Sequence, residues 1–351
     1  MKSILITGGA GFIGSALVRF LLRETGYSVV NIDKLSYAGS LENLGEYKNH
    51  ERHIFIHSDI ADVSILQKIF QQYQPIGVIH LAAESHVDRS IRQPADFFHS
   101  NVLCTYLLLE QTLNYYQRVA KNLKNAFRFV YVSTDEVFGA LKHNQPPFDE
   151  HSPIRPNNPY AASKAAAEQF VRAWHKTYGL PTIIANASNN YGEYQHKEKL
   201  IPTVIHHALL GKNIPMYGDG KQVRDWIYVE DTVCALWQIF QHGTAGERFV
   251  IGAENEIENR TLIEKICGLL DKHSPIANNA HLSGSLKMYN ELIQSTTDRI
   301  NHDRRYAINP MKLKQTLNWQ AKMPFEKGLE KTVLHYINLH NHQHIAIESP
   351  L

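Results

Sequence analysis

The sequence predicts an α/β protein: a doubly wound parallel sheet followed by a smaller mixed α/β lobe. Three observations lead there. Short apolar runs alternate with helical stretches through residue 187. The first run passes through a glycine-rich turn straight into a helix. Polar and acidic residues gather where the runs end, as they do when ligands sit at the carboxyl ends of parallel strands.

The elements follow in order. Ile4-Leu5-Ile6 reads as a strand, and Thr7-Gly8-Gly9-Ala10-Gly11-Phe12-Ile13-Gly14 leads into a helix over residues 15–23. Such a turn offers backbone N–H groups at a helix N-terminus to a pyrophosphate. Gly8 permits the tight turn, Gly11 the approach of phosphates and Gly14 close helix–strand packing. A second strand over residues 28–32 ends at Asp33, about twenty residues on, where an acid suits the ribose hydroxyls of NAD. The neighbouring Lys34 tempers that preference. Strands over residues 54–56 and 78–81 end at Asp59-Ile60 and Ala82-Ala83, and another over 129–132 ends at Ser133-Thr134. Helices are expected over 63–73 and 101–121. Asp59 reads either as a cofactor contact or as a helix N-cap. The expectation is a Rossmann-type sheet. Beyond it, Pro146-Pro147, Pro153, Pro156 and Pro159 mark turns, and short helices and strands continue to Trp319.

Two motifs carry chemistry. Ser133-Thr134-Asp135-Glu136 closes one strand, and Tyr160-Ala161-Ala162-Ser163-Lys164 lies on a helix. Tyr160 and Lys164 are four residues apart and share one helix face. An ammonium beside a phenol favours the phenolate, so the Tyr160 pKa is expected to fall. Such a Tyr can take an alcohol proton while hydride leaves the same carbon. Asp135 and Glu136 add a second acid and base, which simple alcohol oxidation does not need. Oxidation coupled to a further step is the reading.

Composition sets the class. The 351 residues are 43% hydrophobic and 20% charged with a formal net charge of +2, an ordinary globular balance with room for two lobes. No basic block points to nucleic acid. Cys104, Cys234 and Cys267 are widely spaced and read as reduced thiols. No run approaches a membrane span, and the N-terminus enters a strand with no room for a signal peptide, so a cytoplasmic protein is expected. The 20 His residues form no H-E-x-x-H or zinc-type spacing. His206-His207 and the alternating His340, His342 and His344 are read as surface or core residues, and no metal is expected.

The chain resembles the nucleotide-sugar 4,6-dehydratases of the extended short-chain dehydrogenase/reductase family from residue 2 to about 319. Matching pieces include residues 7–15 (TGGAGFIGS), 31–34 (NIDK), 80–90 (HLAAESHVDRS), 133–137 (STDEV), 160–164 (YAASK) and 188–192 (SNNYG). They continue with 198–202 (EKLIP), 224–231 (RDWIYVED) and 302–308 (HDRRYAI). The resemblance implies that Tyr160 takes the sugar 4-OH proton as hydride passes to tightly bound NAD. Lys164 lowers its pKa and holds the nicotinamide ribose, and Thr134 hydrogen-bonds the 4-oxygen. Glu136 removes the C5 proton, Asp135 protonates the departing 6-OH, and hydride returns to C6. The implied substrate is dTDP-glucose and the implied product a 4-keto-6-deoxy sugar for deoxysugar synthesis. The cofactor is expected against Gly8, Gly11, Phe12, Ile13 and Gly14, and against Asp33, Lys34, Leu35 and Ser36. It is also expected at Asp59, Ile60, Leu81, Ala82, Ala83, Ser85, Ser100 and Asn190. Asn101 is either an N-cap or a structural polar group of the site.

On the substrate side, Arg224, Arg299 and Lys199 are candidates for a diphosphate. Asn189, Leu200, Pro215, Met216, Tyr217, Asn259, His302 and Tyr306 fall where the family contacts the nucleotide or phosphates, and Ser85 approaches the sugar. Arg224 reads alternatively as an ion pair with Asp225 or Asp231. The family pattern R-P-G-H-D-R-R-Y has Ile300-Asn301 in place of Pro-Gly here, and N-Y-G-P-Y-x-F-P-E-K continues here as Glu193-Tyr194-Gln195-His196-Lys197-Glu198-Lys199. Phe138 stands where the family has Tyr, and Ala187 where it has Cys. The implied layout is an NAD-binding part over 1–187 to which later elements return, a nucleotide-sugar lobe over 188–320 and a C-terminal helix and tail over 321–351. A homodimer is expected through the helices at 101–121 and around Tyr160. UDP-glucose as substrate, a 4-epimerase and a non-catalytic NAD-sensing protein are the other readings. GDP-mannose dehydratases usually carry Ser where Asp135 stands and favour NADP.

Overall fold

In the computed structural model the described residues are 2–119, 124, 126–279, 282 and 286–348, with side chains to 341. The side chains of His342 and His344, and Lys121, lie outside them. Twelve strands are found there. Seven form one parallel sheet: β1 (Ser3–Thr7), β2 (Ser28–Asp33), β3 (His53–His57), β4 (Gly77–His80), β5 (Arg128–Thr134), β6 (Thr182–Ala187) and, from much later in the chain, β10 (Arg248–Ile251). Their order is β10-β6-β5-β4-β1-β2-β3. The order reverses between β1 and β4, and the crevice beyond their carboxyl ends is where such sheets bind ligands.

Helices cover both faces because the strand residues alternate. Ile4, Ile6, Val130 and Val132 pack on one face with Leu17 and Leu21 of α1 (Phe12–Glu24) and Leu236 of α8 (Val229–His242). Leu5, Phe129 and Tyr131 pack on the other, with Phe70 of α2 (Val63–Tyr73), Leu108 of α5 (Cys104–Arg118) and Val171 of α6 (Pro159–Tyr178). The short helices α3 (Val87–Arg92) and α4 (Pro94–Phe97) lie between β4 and a π-helical turn over Phe98–Leu103. The expected helix from residue 101 is therefore interrupted: its first turn is π-helical and α5 proper begins at Cys104.

A second core holds the smaller lobe. Trp226 and Tyr228 of β9 (Val223–Tyr228) pack with Ile201 and Ile205 of α7 (Leu200–Leu209), Leu262 and Ile266 of α9 (Asn259–His273) and Leu329 and Val333 of α11 (Phe325–Glu348). Strands β7 (Asn189–Tyr191) and β11 (Glu256–Glu258) flank β9, and β8 (Ile214–Tyr217) pairs with β12 (Ile293–Thr296). Residues 189–191 are thus a strand rather than the turn their Asn-Asn-Tyr-Gly composition resembles. Helix α10 (Met311–Leu317) returns to the first core through Leu313. No helix among the described residues is long and apolar enough to cross a membrane. The three cysteines are free.

Candidate active site

One cleft, about 300 Å³ in volume, runs along the carboxyl ends of β1, β2, β4, β5 and β6. Gly8, Gly11, Phe12, Ile13, Gly14, Asp33, Lys34 and Ser36 line its first part. Asp59, Ile60, Leu81, Ala82, Ala83, Ser85 and Ser100 line the next, and Thr134, Asp135, Glu136, Tyr160, Lys164, Asn189, Asn190 and Lys199 the last. Leu35 is not in the lining. It has φ 52°, and its N–H donates to Asp33 Oδ1 at 2.8 Å, so its part is to fix the carboxylate.

The dinucleotide end fits NAD. Gly8 sits at φ 72°, where a Cβ would lie 2.6 Å from the Ala82 nitrogen. A Cβ on Gly14 would lie 2.0 Å from the Gly8 carbonyl oxygen, so only glycine lets the helix approach the loop this closely. The N-cap of α1 is Gly11, with no side-chain cap and no acid in the first turn, which leaves N–H groups for an anion. Asp33 Oδ2 accepts from the Ala10 N–H at 3.0 Å. With Oδ1 held as well, each oxygen keeps a lone pair for a hydroxyl. Lys34 reaches Asp59 at 3.3 Å and Ser100 at 3.4 Å. Asp59 is not the α2 N-cap, a place taken by Asp62; it accepts from the Ala61 N–H. Buried, unpartnered Ser188 Oγ and Asn190 Oδ1 also border this cleft.

At the reactive end, Thr134 caps a 3₁₀ turn, Asp135–Phe138, by accepting from the Glu136 N–H. This turn sends successive carboxyls in different directions. Asp135 is 1% exposed, with one oxygen unpartnered. Burial, then the nearby Glu136 and Asp225 carboxylates, pushes its pKa up to about 8, so it carries a proton at neutral pH. Glu136 accepts from Asn158 Nδ2 at 3.2 Å, while Asn158 Oδ1 accepts from the Ala161 N–H and caps α6. One side chain thus sets both the base and the start of the Tyr160 helix. Asn158 was not singled out in the sequence, although Asn followed by Pro159 is a legible helix start.

The expectation that Lys164 lowers the Tyr160 pKa is overturned. Burial raises the Tyr160 pKa first, and Glu136 raises it further, against the Thr134 hydroxyl. Lys164, 3% exposed, donates to the Val132 carbonyl at 2.7 Å and lies over the Tyr131 ring rather than bonding the phenol. Burial brings its own pKa down to about 7. The shared helix face was legible from the spacing; the desolvation that acts on both groups was not.

Asn101 resolves as a structural polar group. Its Oδ1 accepts from the Glu84 N–H at 2.8 Å, and its Nδ2 donates to the Glu84 carbonyl and to Ser163 Oγ. Ser163 Oγ donates to the Tyr160 carbonyl at 2.7 Å. Behind it, Thr7 Oγ1 accepts from the Ala82 N–H and meets His80 Nδ1 at 2.6 Å. His80 Nε2 then donates to Thr105 Oγ1, which donates to the Asn101 carbonyl. Complete burial keeps His80 neutral, with a pKa down to about 3. A second buried network joins Glu168, Arg248 and Asn186, and Asn186 Nδ2 donates to the Thr134 carbonyl at 2.9 Å.

Of the other substrate candidates Lys199 is in the cleft lining, and the rest lie beyond it. Lys199 Nζ donates to the Ser85 carbonyl at 2.7 Å, and burial lowers its pKa. Arg224 pairs with neither Asp225 nor Asp231; it donates to the Val223 and Asp303 carbonyls and stacks over Tyr306 at 4.4 Å. Arg299 is bidentate on Asp88, whose carboxylate also accepts from Tyr217. His302 pairs with Asp298. Pro215 and Tyr217 flank Met216, which is 2% exposed in the second core, and Leu200 packs against that core. Asn259, at the start of α9, has a buried Oδ1 without a partner. Among the described residues no group of three His, Cys, Asp or Glu side chains could hold a metal ion.

Fold and site together define an extended short-chain dehydrogenase/reductase. Within that class the chain belongs to the family whose model, described as GDP-mannose 4,6 dehydratase, matches residues 5–332. It is 48% identical over 337 residues to a dTDP-glucose 4,6-dehydratase of Haemophilus influenzae, covering 96% of this chain and 98% of the relative. It is 49% identical over 343 residues to dTDP-glucose 4,6-dehydratase 1 of Escherichia coli K12, covering 95% and 92%. Among solved structures, the dTDP-glucose 4,6-dehydratase of Streptomyces venezuelae with NAD bound superposes with a TM-score of 0.85 at 36% identity, covering 97% and 98%. A UDP-glucose 4-epimerase of Thermotoga maritima gives 0.80 at 28% identity, covering 97% and 100%.

Proposed function

We propose that this protein is an NAD-dependent dTDP-glucose 4,6-dehydratase, a hydro-lyase. It converts dTDP-glucose to dTDP-4-keto-6-deoxyglucose and water. The observation that carries the reading is the buried Asp135, directly after Thr134 and beside Glu136, in one cleft with Tyr160 and with its pKa raised by that burial. An epimerase needs Tyr and Lys but no such acid–base pair. The relatives at 48% and 49% identity act on dTDP-glucose by name.

Gly8, Gly11, Gly14 and Asp33 would hold NAD, which would supply the acceptor for the C4 hydride and its return to C6. Thr134 and Tyr160 hold the sugar 4-oxygen, and Tyr160 would take its proton once the positive charge of Lys164 and of a bound nicotinamide offsets the burial that raises the phenol pKa. Lys164, titrating near neutrality, supplies positive charge beneath them. Glu136, aimed by Asn158, removes the C5 proton that the 4-ketone has acidified. Asp135 gives its proton to the departing 6-OH. The two carboxyls sit in different surroundings, which lets one stay an acid and the other a base at one pH. Arg224, Lys199 and Arg299 face the diphosphate, with Arg299 exchanging Asp88 for phosphate oxygen. Residues 1–187 with β10 serve the cofactor, 188–320 the nucleotide sugar, and 321–351 the C-terminal helix and tail.

Two copies form a homodimer through α5, α6 and the turn before them, where Phe98 is 63% exposed and Tyr178 51%. The free cysteines support a cytoplasmic location. An NMR time course with NAD⁺ and dTDP-glucose, with UDP-glucose in parallel, tests the reading. A C6 methyl doublet and a hydrated 4-ketone in the dTDP tube are expected. A methyl signal only with UDP-glucose moves the substrate, and none in either tube removes the dehydratase.

A further inference from the structure

The two walls of the cleft come from segments far apart in the chain. The loop after β2 contributes Ser36, Ala38 and Gly39 to one wall, and the segment after β7 contributes Gln195, His196, Glu198 and Lys199 to the other. The loop is folded back on the glycine-rich turn: the Gly39 N–H donates to the Ser36 carbonyl and the Ser40 N–H to the Ala10 carbonyl. The opposite segment is fixed from behind. Gln195 Nε2 donates to the Asn190 carbonyl, the Tyr336 hydroxyl of α11 donates to the Gln195 carbonyl, and Lys331 of α11 pairs with Glu193.

These two anchored walls touch at one hydrogen bond, from the Tyr37 hydroxyl to Glu198 Oε1 at 2.8 Å. Its surroundings are built for it. The Arg89 guanidinium lies 3.8 Å from the centre of the Tyr37 ring and 3.9 Å from the Glu84 carboxylate. His196 meets the same ring edge-on at 5.4 Å. His86 and His196 both stand within 4 Å of the Glu198 carboxylate. None of these groups has a part in the chemistry above, yet together they join the two lining segments.

We propose that Tyr37 and Glu198 form a clasp over the dinucleotide cleft that retains NAD between turnovers. This rests on the reading of the site as a 4,6-dehydratase. There the hydride taken from C4 goes back to C6 of the same sugar, so the cofactor is restored in place and never has to leave. A dehydrogenase that exchanges its dinucleotide each cycle has no use for such a bridge. Glu198 is also next to Lys199, so the clasp joins the cofactor wall to a candidate diphosphate residue.

The test is release of radiolabelled NAD from the loaded enzyme, chased with excess unlabelled NAD. Tyr37→Phe removes only the hydroxyl and keeps the ring under Arg89. It is expected to speed release roughly tenfold, the effect of losing one hydrogen bond to a charged group. Glu198→Ala is expected to do the same, and the double variant to release no faster than either single, because both act through one bond. Release within twofold of the parent in both variants overturns the clasp. So does a double variant whose effect is the product of the singles, or a parent that binds no NAD. If the variants speed release while neither dTDP-glucose nor UDP-glucose yields a methyl signal, the clasp stands and the dehydratase falls.

Discussion

At the scale of the residue, the site assigns one job to each polar group, and substitutions should separate them. Tyr160→Phe should abolish C4 oxidation. Glu136→Gln should leave oxidation but slow proton removal at C5 by roughly 10²–10⁴-fold, read as loss of deuterium exchange at C5 from heavy water. Asp135→Asn should keep that exchange and lose water elimination by a similar factor. The pH dependence has a definite sign. Asp135 is useful while protonated, so kcat should fall above about pH 8. Asp225 helps to raise that pKa, and removing its charge in Asp225→Asn should move the alkaline limb to lower pH. Stability follows the same proton. The Asp135 carboxyl releases it near the ordinary value of 3.8 when unfolded and near 8 when folded, so the folded chain holds the extra proton and rising pH destabilises it. Melting temperatures of Asp135→Asn should therefore improve relative to the parent from pH 5 to pH 9. Thr134, Asp135, Glu136, Tyr160 and Lys164 were all legible as residue types at their spacing. Which carboxyl is the acid came from the family resemblance and not from the residues themselves, because it depends on a 3₁₀ turn burying Asp135 and leaving Glu136 within reach of Asn158.

At the scale of the element, Asn158 has two separable roles. Asn158→Ala should cost about 1 kcal/mol of stability through the lost N-cap and also lower kcat by freeing Glu136. Asn158→Asp keeps an acceptor for the Ala161 N–H but has no amide to give Glu136. It should melt near the parent and still lose activity, as seen by comparing thermal unfolding with the rate of methyl formation. The parallel strands and α2 were readable because their apolar runs are bounded by turn residues, and residues 63–73 are the predicted helix to the residue. The π-helical turn was not, since it has no composition of its own. It arises where Asn101 must meet both the Glu84 backbone and Ser163, and the helix pattern simply runs through it. Strand β7 was hidden for a different reason: its pairing with β9 is supplied by residues 226–228, far along the chain.

At the scale of the whole molecule, four exposed apolar side chains lie on α6 and on the π-helical turn that precedes α5. Phe98, Leu103, Phe170 and Tyr178 are each more than a third exposed. If the proposed homodimer uses this face, replacing Phe170 and Tyr178 by Glu should leave a monomer, read by light scattering at micromolar concentration. The seven-stranded sheet has one further consequence. Six of its strands are complete by residue 187, but β10, which covers the outer edge of β6, spans Arg248–Ile251. Arg248 also brings the guanidinium that neutralises buried Glu168, whose side chain is 0% exposed. During synthesis at about 5–20 residues per second, the nascent sheet waits several seconds with a bare edge and an uncompensated buried acid. The first part of the small lobe, residues 188–247, must emerge from the ribosome before the sheet can close, so a stall or truncation just short of residue 248 leaves a chain primed to pair with its neighbours on the polysome.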